Sequence, residues 1–324
     1  LLSLLFPIFL FLNLRKIYKC EKINILIFSF SFLYLPLLRS EAIWSNSHFT
    51  AIIFFLIANF FYLKGLEKKN ISYKIMNLIF SALATYCLQT YVILYLYYLL
   101  NYYLKDSFKN FITFFIISIL LGLPGLYFIY LNPRVSDITI TQDFFYTFTT
   151  YFSIIFFFIC FFLLNTQTIQ TLKKSIISLK PFDLIIIFLV IAIVIFNSDF
   201  SSYKSNLKGG GFFFKLSHFL FDNNLVFIFS FILGLFTSYL IIKNDKNFTF
   251  IFLIMFLMIL NYQIYQKYFE PLFLIILSVI YKNFLVMNVL SKLRNTIIFY
   301  STIILYLIVA YINFLNQFTY KLVI

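Results

Sequence analysis

Long apolar runs separated by short lysine-rich links are the feature that most restricts the fold of this chain. Hydrophobic residues make up 63% of the 324 residues and the mean hydropathy is +0.97, more apolar surface than one soluble core can bury. A membrane-spanning helix needs roughly 20 apolar residues. The sequence therefore predicts an all-α, polytopic helical membrane protein with about eleven or twelve membrane helices, several of them short or broken. We expect one transmembrane domain over residues 1–324. The runs are 1–14, 23–38, 49–63, 75–104, 110–131, 144–164, 184–196, 225–242, 248–260, 272–281 and 296–315.

The run 75–104 decides the topology. As one straight helix it would be about 45 Å long, half as long again as the hydrocarbon core. If it instead folds back near Gln89-Thr90, the basic links share one side and hold eighteen of the 25 Lys and Arg residues; a single crossing divides them fourteen to eleven. Because Lys and Arg concentrate in cytoplasmic loops, we predict a hairpin with cytoplasmic links. These links are 15–22, 64–74, 105–109, 165–183, 243–247 and 282–294.

Several functional classes are disfavoured by the same sequence. The net charge of +14 is scattered between apolar runs rather than collected in a basic arm, so no nucleic-acid partner is predicted. The cysteines Cys20, Cys87 and Cys160 are far apart and form no CxxC pair, and no metal site is predicted. No apolar run carries a charge at its centre, which argues against an ion pathway.

Residues 39–48 form the densest polar stretch among the segments predicted to be external. Arg39, Glu41, His48 and the only Trp lie within ten residues, either in an ordinary connecting loop or in part of a site at the membrane surface. An Arg binds phosphate through two parallel N–H groups. A carboxylate can act as a general base or bind a divalent cation.

Two other external segments carry candidate binding residues. Arg134 lies in the segment 132–143. Gln263, Gln266 and Lys267 are three and four residues apart, so a helix would place them on one face, where they could line a polar cavity. The alternative is an interfacial helix end with tyrosine anchors.

Two stretches resemble the multi-spanning glycosyltransferases of the GT-C type, which use polyprenyl-phosphate-linked sugars. Residues 35–44, LPLLRSEAIW, resemble the loop-then-helix element of that family that contains Pro followed by Arg-Ser-x-Ala. Residues 81–90, SALATYCLQT, resemble the helix with an Arg-Gln-Thr motif in the dolichyl-phosphoglucose-dependent α-1,2-glucosyltransferases and bacterial relatives. Leu88 stands where that motif has Arg.

The resemblance implies a membrane enzyme that transfers a sugar from a polyprenyl-phosphate donor to a lipid-linked or glycan acceptor. Arg39 and Lys267 would hold the donor phosphate, Glu41 and His48 would orient sugar or acceptor, and Gln89 would bind sugar hydroxyls. The general base of the family would lie in an N-terminal portion that we expect to be missing here.

Two other functions remain open at this stage. A flippase or polymerase of polysaccharide or lipid intermediates would use the same external basic groups for binding, without glycosyl transfer from a lipid monophosphate. A membrane scaffold would carry out no chemistry. For the enzyme we expect a bacterial inner-membrane location with the site facing the periplasm. The expected partners are the lipid-linked donor and membrane lipids; no cofactor is predicted beyond a divalent cation, which the sequence leaves open.

Overall fold

Every regular element that the structure describes is helical, and no strand occurs within residues 2–36, 38–39, 47–131, 144–198, 211–258 and 266–322 of this computed structural model. The predicted all-α class is therefore confirmed. These ranges hold fifteen α-helices and two short 3-10 turns, Phe32–Tyr34 and Gln89–Tyr91. The helices are α1 (Leu2–Ile17), α2 (Lys22–Ser31), α3 (Ser47–Lys68), α4 (Ile71–Cys87), α5 (Val92–Lys105), α6 (Phe108–Leu131), α7 (Phe144–Leu163), α8 (Thr166–Ile177), α9 (Pro181–Asn197), α10 (Gly211–Phe221), α11 (Leu225–Asn244), α12 (Phe248–Met258), α13 (Gln266–Val279), α14 (Phe284–Leu290) and α15 (Leu293–Leu322).

Five of the described helices, α3, α6, α7, α11 and α15, are long and apolar enough to cross a membrane. Two bent pairs meet the same test jointly: α8 with α9, bent by 103°, and Leu272–Val279 of α13 with α14, bent by 87°. Lipid-embedded helices can break in this way where other protein groups satisfy the freed backbone. A multi-pass membrane protein with several short or broken helices is thus confirmed, whereas a total of eleven or twelve membrane crossings stays a prediction.

The chain divides into two compact units. Unit 1 contains Leu1–Ile138, Ser278–Lys282 and Ile303–Ile324, and unit 2 contains Thr139–Leu277 and Asn283–Thr302. Helices α13 and α15 contribute residues to both units. Their membership of one transmembrane domain stays a prediction.

The run 75–104 folds as the predicted hairpin. Helix α4 ends at Cys87, Leu88 is extended with φ −150° and ψ 111°, and α5 follows the 3-10 turn. The Tyr102 hydroxyl near the end of α5 donates to the Asn77 side chain near the start of α4 at 3.0 Å. Because the first turns of α4 meet the last turns of α5, the two helices run antiparallel and the tip lies at residues 88–91.

A buried ion pair joins the ends of this hairpin. The Lys74 ammonium of α4 donates to the carboxylate of Asp106, and these side chains are only 8% and 13% exposed. The ammonium also lies 5.6 Å from the ring centre of Tyr102 and 5.9 Å from that of Phe114. A buried charge is tolerated only when it is paired, so this pair fixes the hairpin ends next to each other.

Asn59 connects several parts of unit 1. Its side-chain amide donates to Asn13 of α1 at 3.0 Å and to the carbonyl of Val279 at 2.8 Å. Its oxygen accepts from the Tyr98 hydroxyl of α5 at 2.8 Å. Asn13, Asn59 and Tyr98 are each fully buried. Such hydrogen bonds hold membrane helices together, at roughly 0.6 kcal/mol each on average.

In unit 2, α7 and α11 approach each other closely. A Cβ added to Gly234 of α11 would meet the backbone oxygen of Phe152 in α7 at 2.0 Å. One turn away, the hydroxyls of Ser153 and Ser230 share a hydrogen bond of 2.7 Å. Small residues permit this contact because membrane helices associate mainly through close packing.

Gly234→Ala should destabilise the protein by about 1–3 kcal/mol, because the new methyl group forces two backbones apart. Gly122→Ala in α6 is the matched control, since a Cβ there meets nothing within 4 Å. Thermal unfolding of both purified variants in detergent would compare them. Equal transition temperatures for the two variants would contradict the close crossing.

Asp106→Asn should lower the free energy of unfolding by about 3–5 kcal/mol, because it leaves the buried Lys74 ammonium without its charge partner. The double variant Lys74→Met/Asp106→Leu should recover most of this loss. Glu67→Gln, which breaks a pair whose carboxylate side chain is 63% exposed, should cost less than about 1 kcal/mol. Equal losses in Asp106→Asn and Glu67→Gln would refute the buried pairing.

Candidate functional site

The basic connectors of unit 1 meet at one end of its helices. Lys16 at the end of α1 pairs with Glu67 at the end of α3 at 2.5 Å. The Lys74–Asp106 pair then joins the connector after α3 to the connector after α5. The links 15–22, 64–74 and 105–109 therefore share one end, as the charge distribution predicts. We call this the basic end of unit 1.

The basic connectors of unit 2 group in the same way. Lys243 at the end of α11 pairs with Asp183 in the first turn of α9 at 2.8 Å and donates to the carbonyl of Ser178 at 2.7 Å. The Ser291 hydroxyl donates to the Gln167 side chain of α8 at 3.0 Å. The links 165–183, 243–247 and 282–294 thus share one end of unit 2, again as predicted.

Helices α1 and α3 run parallel, which places His48 away from the basic end. The Phe6 and Phe49 rings are 6.2 Å apart near the starts of these helices, and Lys16 meets Glu67 near their ends. His48, which is half-buried, lies in the first turn of α3. It therefore lies about 30 Å from the Lys68 end of the same helix, at 1.5 Å per residue.

Gln89 and Arg39 belong to the same end as His48. Gln89 is exposed at the tip of the α4–α5 hairpin, whose other end carries the Lys74–Asp106 pair. Arg39 is exposed, and its backbone N–H donates to the carbonyl of Leu35 at 3.0 Å. The preceding 3-10 turn contains Phe32, whose ring lies 6.4 Å from that of Phe6. We call the end with Arg39, His48 and Gln89 the distal end of unit 1.

The other candidate residues are not placed by the structure. Glu41, Arg134 and Gln263 lie outside the described residues. Lys267 falls in the first turn of α13, in unit 2, and its side chain is also outside the described part. The pairing of Arg39 with Lys267 around one donor phosphate therefore stays a prediction. Within the described residues, no group of three or more His, Cys, Asp and Glu side chains could hold a metal ion.

The polar connection through Asn13, Asn59 and Tyr98 was not foreseen from the sequence. These residues lie within runs that hydropathy treats as uniformly apolar, yet each is fully buried. A usable signal was present, because an Asn within an apolar run must find a partner inside the protein. This network is saturated by its own members, so it serves packing and leaves no group directed at a ligand.

His218 and Asp222 lie together at the end of α10 in unit 2. The Nδ1 atom of His218 is 3.9 Å from a carboxylate oxygen of Asp222, and the imidazole packs on the Phe214 ring with centres 4.7 Å apart. Asp222 has a positive φ of 46° at the helix end. Local chain geometry therefore positions this pair.

No family model matches the chain, and neither a curated protein nor a solved structure shows significant similarity to it.

Cys20 and a cysteine introduced at Gln89 should react from opposite sides of a sealed vesicle. Cys20 lies in the basic connector between α1 and α2, whereas residue 89 is at the hairpin tip. Burial raises the pKa of the Cys20 thiol above 9.0, although Lys282 nearby opposes part of the shift. Because the thiolate is the reactive form, labelling of Cys20 should be slower than that of an exposed thiol and should accelerate as the pH rises.

The measurement uses Gln89→Cys in a Cys87→Ser/Cys160→Ser background, and an impermeant maleimide added to one side near neutral pH, where it is selective for thiols over lysines. The background without Gln89→Cys reports Cys20 alone. Labelling of both cysteines from the same side would show that the hairpin tip and the basic connectors share a membrane face.

Proposed function

We propose that the protein is a membrane glycosyltransferase that transfers a sugar from a polyprenyl-phosphate donor to a lipid-linked or glycan acceptor, at the distal end of unit 1. The observation that carries this proposal is the hairpin, because it gives Gln89 the same end as Arg39 and His48. Arg39 and Gln89 come from the two stretches that resemble GT-C enzymes. By the positive-inside rule, this end would face away from the cytoplasm.

The chemistry of these groups suits a charged, hydroxyl-rich headgroup. The exposed guanidinium of Arg39 would donate paired hydrogen bonds to the donor phosphate. It would also stabilise the negative charge that develops on this phosphate as polyprenyl phosphate leaves the sugar. The amide of Gln89 can both donate to and accept from sugar hydroxyls. His48 would orient the acceptor through an imidazole nitrogen.

A flippase or polymerase without lipid-monophosphate donor chemistry is the second candidate, and the placement of the described carboxylates favours it. Among the described residues of unit 1, Glu21, Glu67 and Asp106 all lie at the basic end or in its connectors. The distal end thus has basic groups and no described carboxylate to serve as general base. A flippase or polymerase would use those basic groups to bind lipid intermediates, without glycosyl transfer from a lipid monophosphate.

Arg39→Ala should reduce sugar transfer from a polyprenyl-phosphate donor by about 10–100-fold, which corresponds to one lost charge-assisted phosphate contact. Arg15→Ala, at the basic end, is the matched control and should leave transfer unchanged. The assay measures the radiolabelled sugar that is transferred to the acceptor and the polyprenyl phosphate that is released. Equal turnover in the two variants would remove Arg39 from the site.

Donor binding without transfer from the lipid monophosphate, weakened in Arg39→Ala and not in Arg15→Ala, would instead favour the flippase or polymerase alternative. Binding is measured with the same donor in detergent, so the two results separate recognition from chemistry.

A further inference from the structure

A group of lysines and aromatic rings covers the ends of three helices at the basic end of unit 1. The Lys16 and Lys64 ammonium groups lie 5.9 and 4.5 Å from the centre of the Phe60 ring. Lys64 and Lys68 lie 5.6 and 5.9 Å from the centre of the Tyr73 ring. We call these five residues the basic–aromatic patch.

Local chain geometry builds this patch. Gly65 is buried, and a Cβ added to it would meet the side chain of Lys74 at 3.0 Å, so the end of α3 lies directly against the start of α4. Lys69 has a positive φ of 50° and ends α3, while the Asn70 side chain accepts from the N–H of Ser72 at 2.8 Å and begins α4. This tight turn is what brings Lys64 and Lys68 to Tyr73.

The patch carries more positive charge than its own acidic groups neutralise. Glu67 is the acidic residue that pairs with it, through Lys16 at 2.5 Å. Lys64 and Lys68 form no ion pair within 4.0 Å among the described residues. The patch therefore holds three ammonium groups and pairs with one carboxylate, and an external anionic oxygen could take the place of Glu67 at Lys16.

Exposed apolar side chains lie next to this charge. Leu66 is 36% exposed at the end of α3, and Ile71 is 43% exposed at the start of α4. Lys68, between them in sequence, is exposed as well. A ligand that matches this surface combines a negative headgroup with hydrocarbon, which a free phosphate ion does not.

We propose that the basic–aromatic patch binds the phosphodiester headgroup of an anionic phospholipid in the leaflet on the basic side. The ammonium groups of Lys64 and Lys68 donate to the phosphate oxygens, and Tyr73 lies at the headgroup level, where tyrosines are enriched. Glu67 competes with the lipid for the Lys16 ammonium. This proposal is independent of the function proposed for the distal end.

The test is lipid binding to the intact protein in nanodiscs of phosphatidylcholine with increasing fractions of phosphatidylglycerol, followed by native mass spectrometry of retained lipid. Each ammonium group that donates directly to the lipid phosphate contributes roughly fivefold to retention, so Lys64→Gln/Lys68→Gln should weaken retention about 25-fold. Glu67→Gln should strengthen retention several-fold, because it releases Lys16 and removes a negative charge.

Lys105→Gln/Lys109→Gln is the matched control, because both lysines are exposed in the same group of connectors and the variant loses the same charge. It should retain phosphatidylglycerol within about twofold of the unmodified protein. If surface charge alone attracted the lipid, this variant would lose as much retention as Lys64→Gln/Lys68→Gln. Equal losses in the two lysine variants would overturn the proposal. So would displacement of the lipid by inorganic phosphate at an equal concentration, which would assign the patch to a free anion.

Discussion

The constraint on which this structure depends is that a polar group surrounded by hydrocarbon must find its partner within the protein. It limits the membrane-spanning segments to helices, and the backbone groups left open at helix ends need partners as well. Asparagine side chains supply such partners at three helix starts: Asn70, Asn165 and Asn283 accept from backbone N–H groups of α4, α8 and α14. The Asn283 amide also donates to the carbonyl of Leu277 at 2.6 Å, so one residue serves both sides of the sharp bend between α13 and α14.

The positions of the membrane helices could be predicted because hydropathy and the positive-inside rule act on composition alone. Length did not decide whether 75–104 crosses once or folds back, but counting lysines and arginines did, and the Lys74–Asp106 pair confirms that result. Charge succeeds here because sidedness is a property of whole connectors. A prediction of sidedness from charge therefore requires no knowledge of individual contacts.

The bends within helices could not be predicted in the same way. The runs 184–196 and 272–281 looked like short independent spans, yet each belongs to a bent pair. The bend at residues 178–180 is held by Lys243, which binds Ser178 and Asp183 from 65 and 60 residues away in sequence. A local sequence pattern carries no record of that partner, so the continuity of a span has to come from tertiary structure.

The candidate site could be predicted from the sequence only in part. Arg39 and Gln89 were selected on weak local resemblance, whereas their common placement at one end of unit 1 follows from the hairpin that charge predicted. The structure thus supports their juxtaposition by topology. It adds no motif, because the residues expected to complete the site lie outside the described part of the chain or in unit 2.

The two ends of unit 1 differ in how their charges are balanced, and this difference separates their roles. At the basic end, Glu67 and Asp106 pair with lysines, and the excess charge lies over aromatic rings beside exposed hydrocarbon. The distal end presents Arg39 and His48, and within the described residues of unit 1 it holds no carboxylate. Helix α3 separates these ends by about 33 Å. At that distance two unit charges interact by only roughly 0.5 kcal/mol at an effective dielectric constant of about 20, so an anion bound at one end changes the potential at the other only slightly. The lipid recognition proposed for the basic end and the headgroup recognition proposed for the distal end could therefore be altered separately.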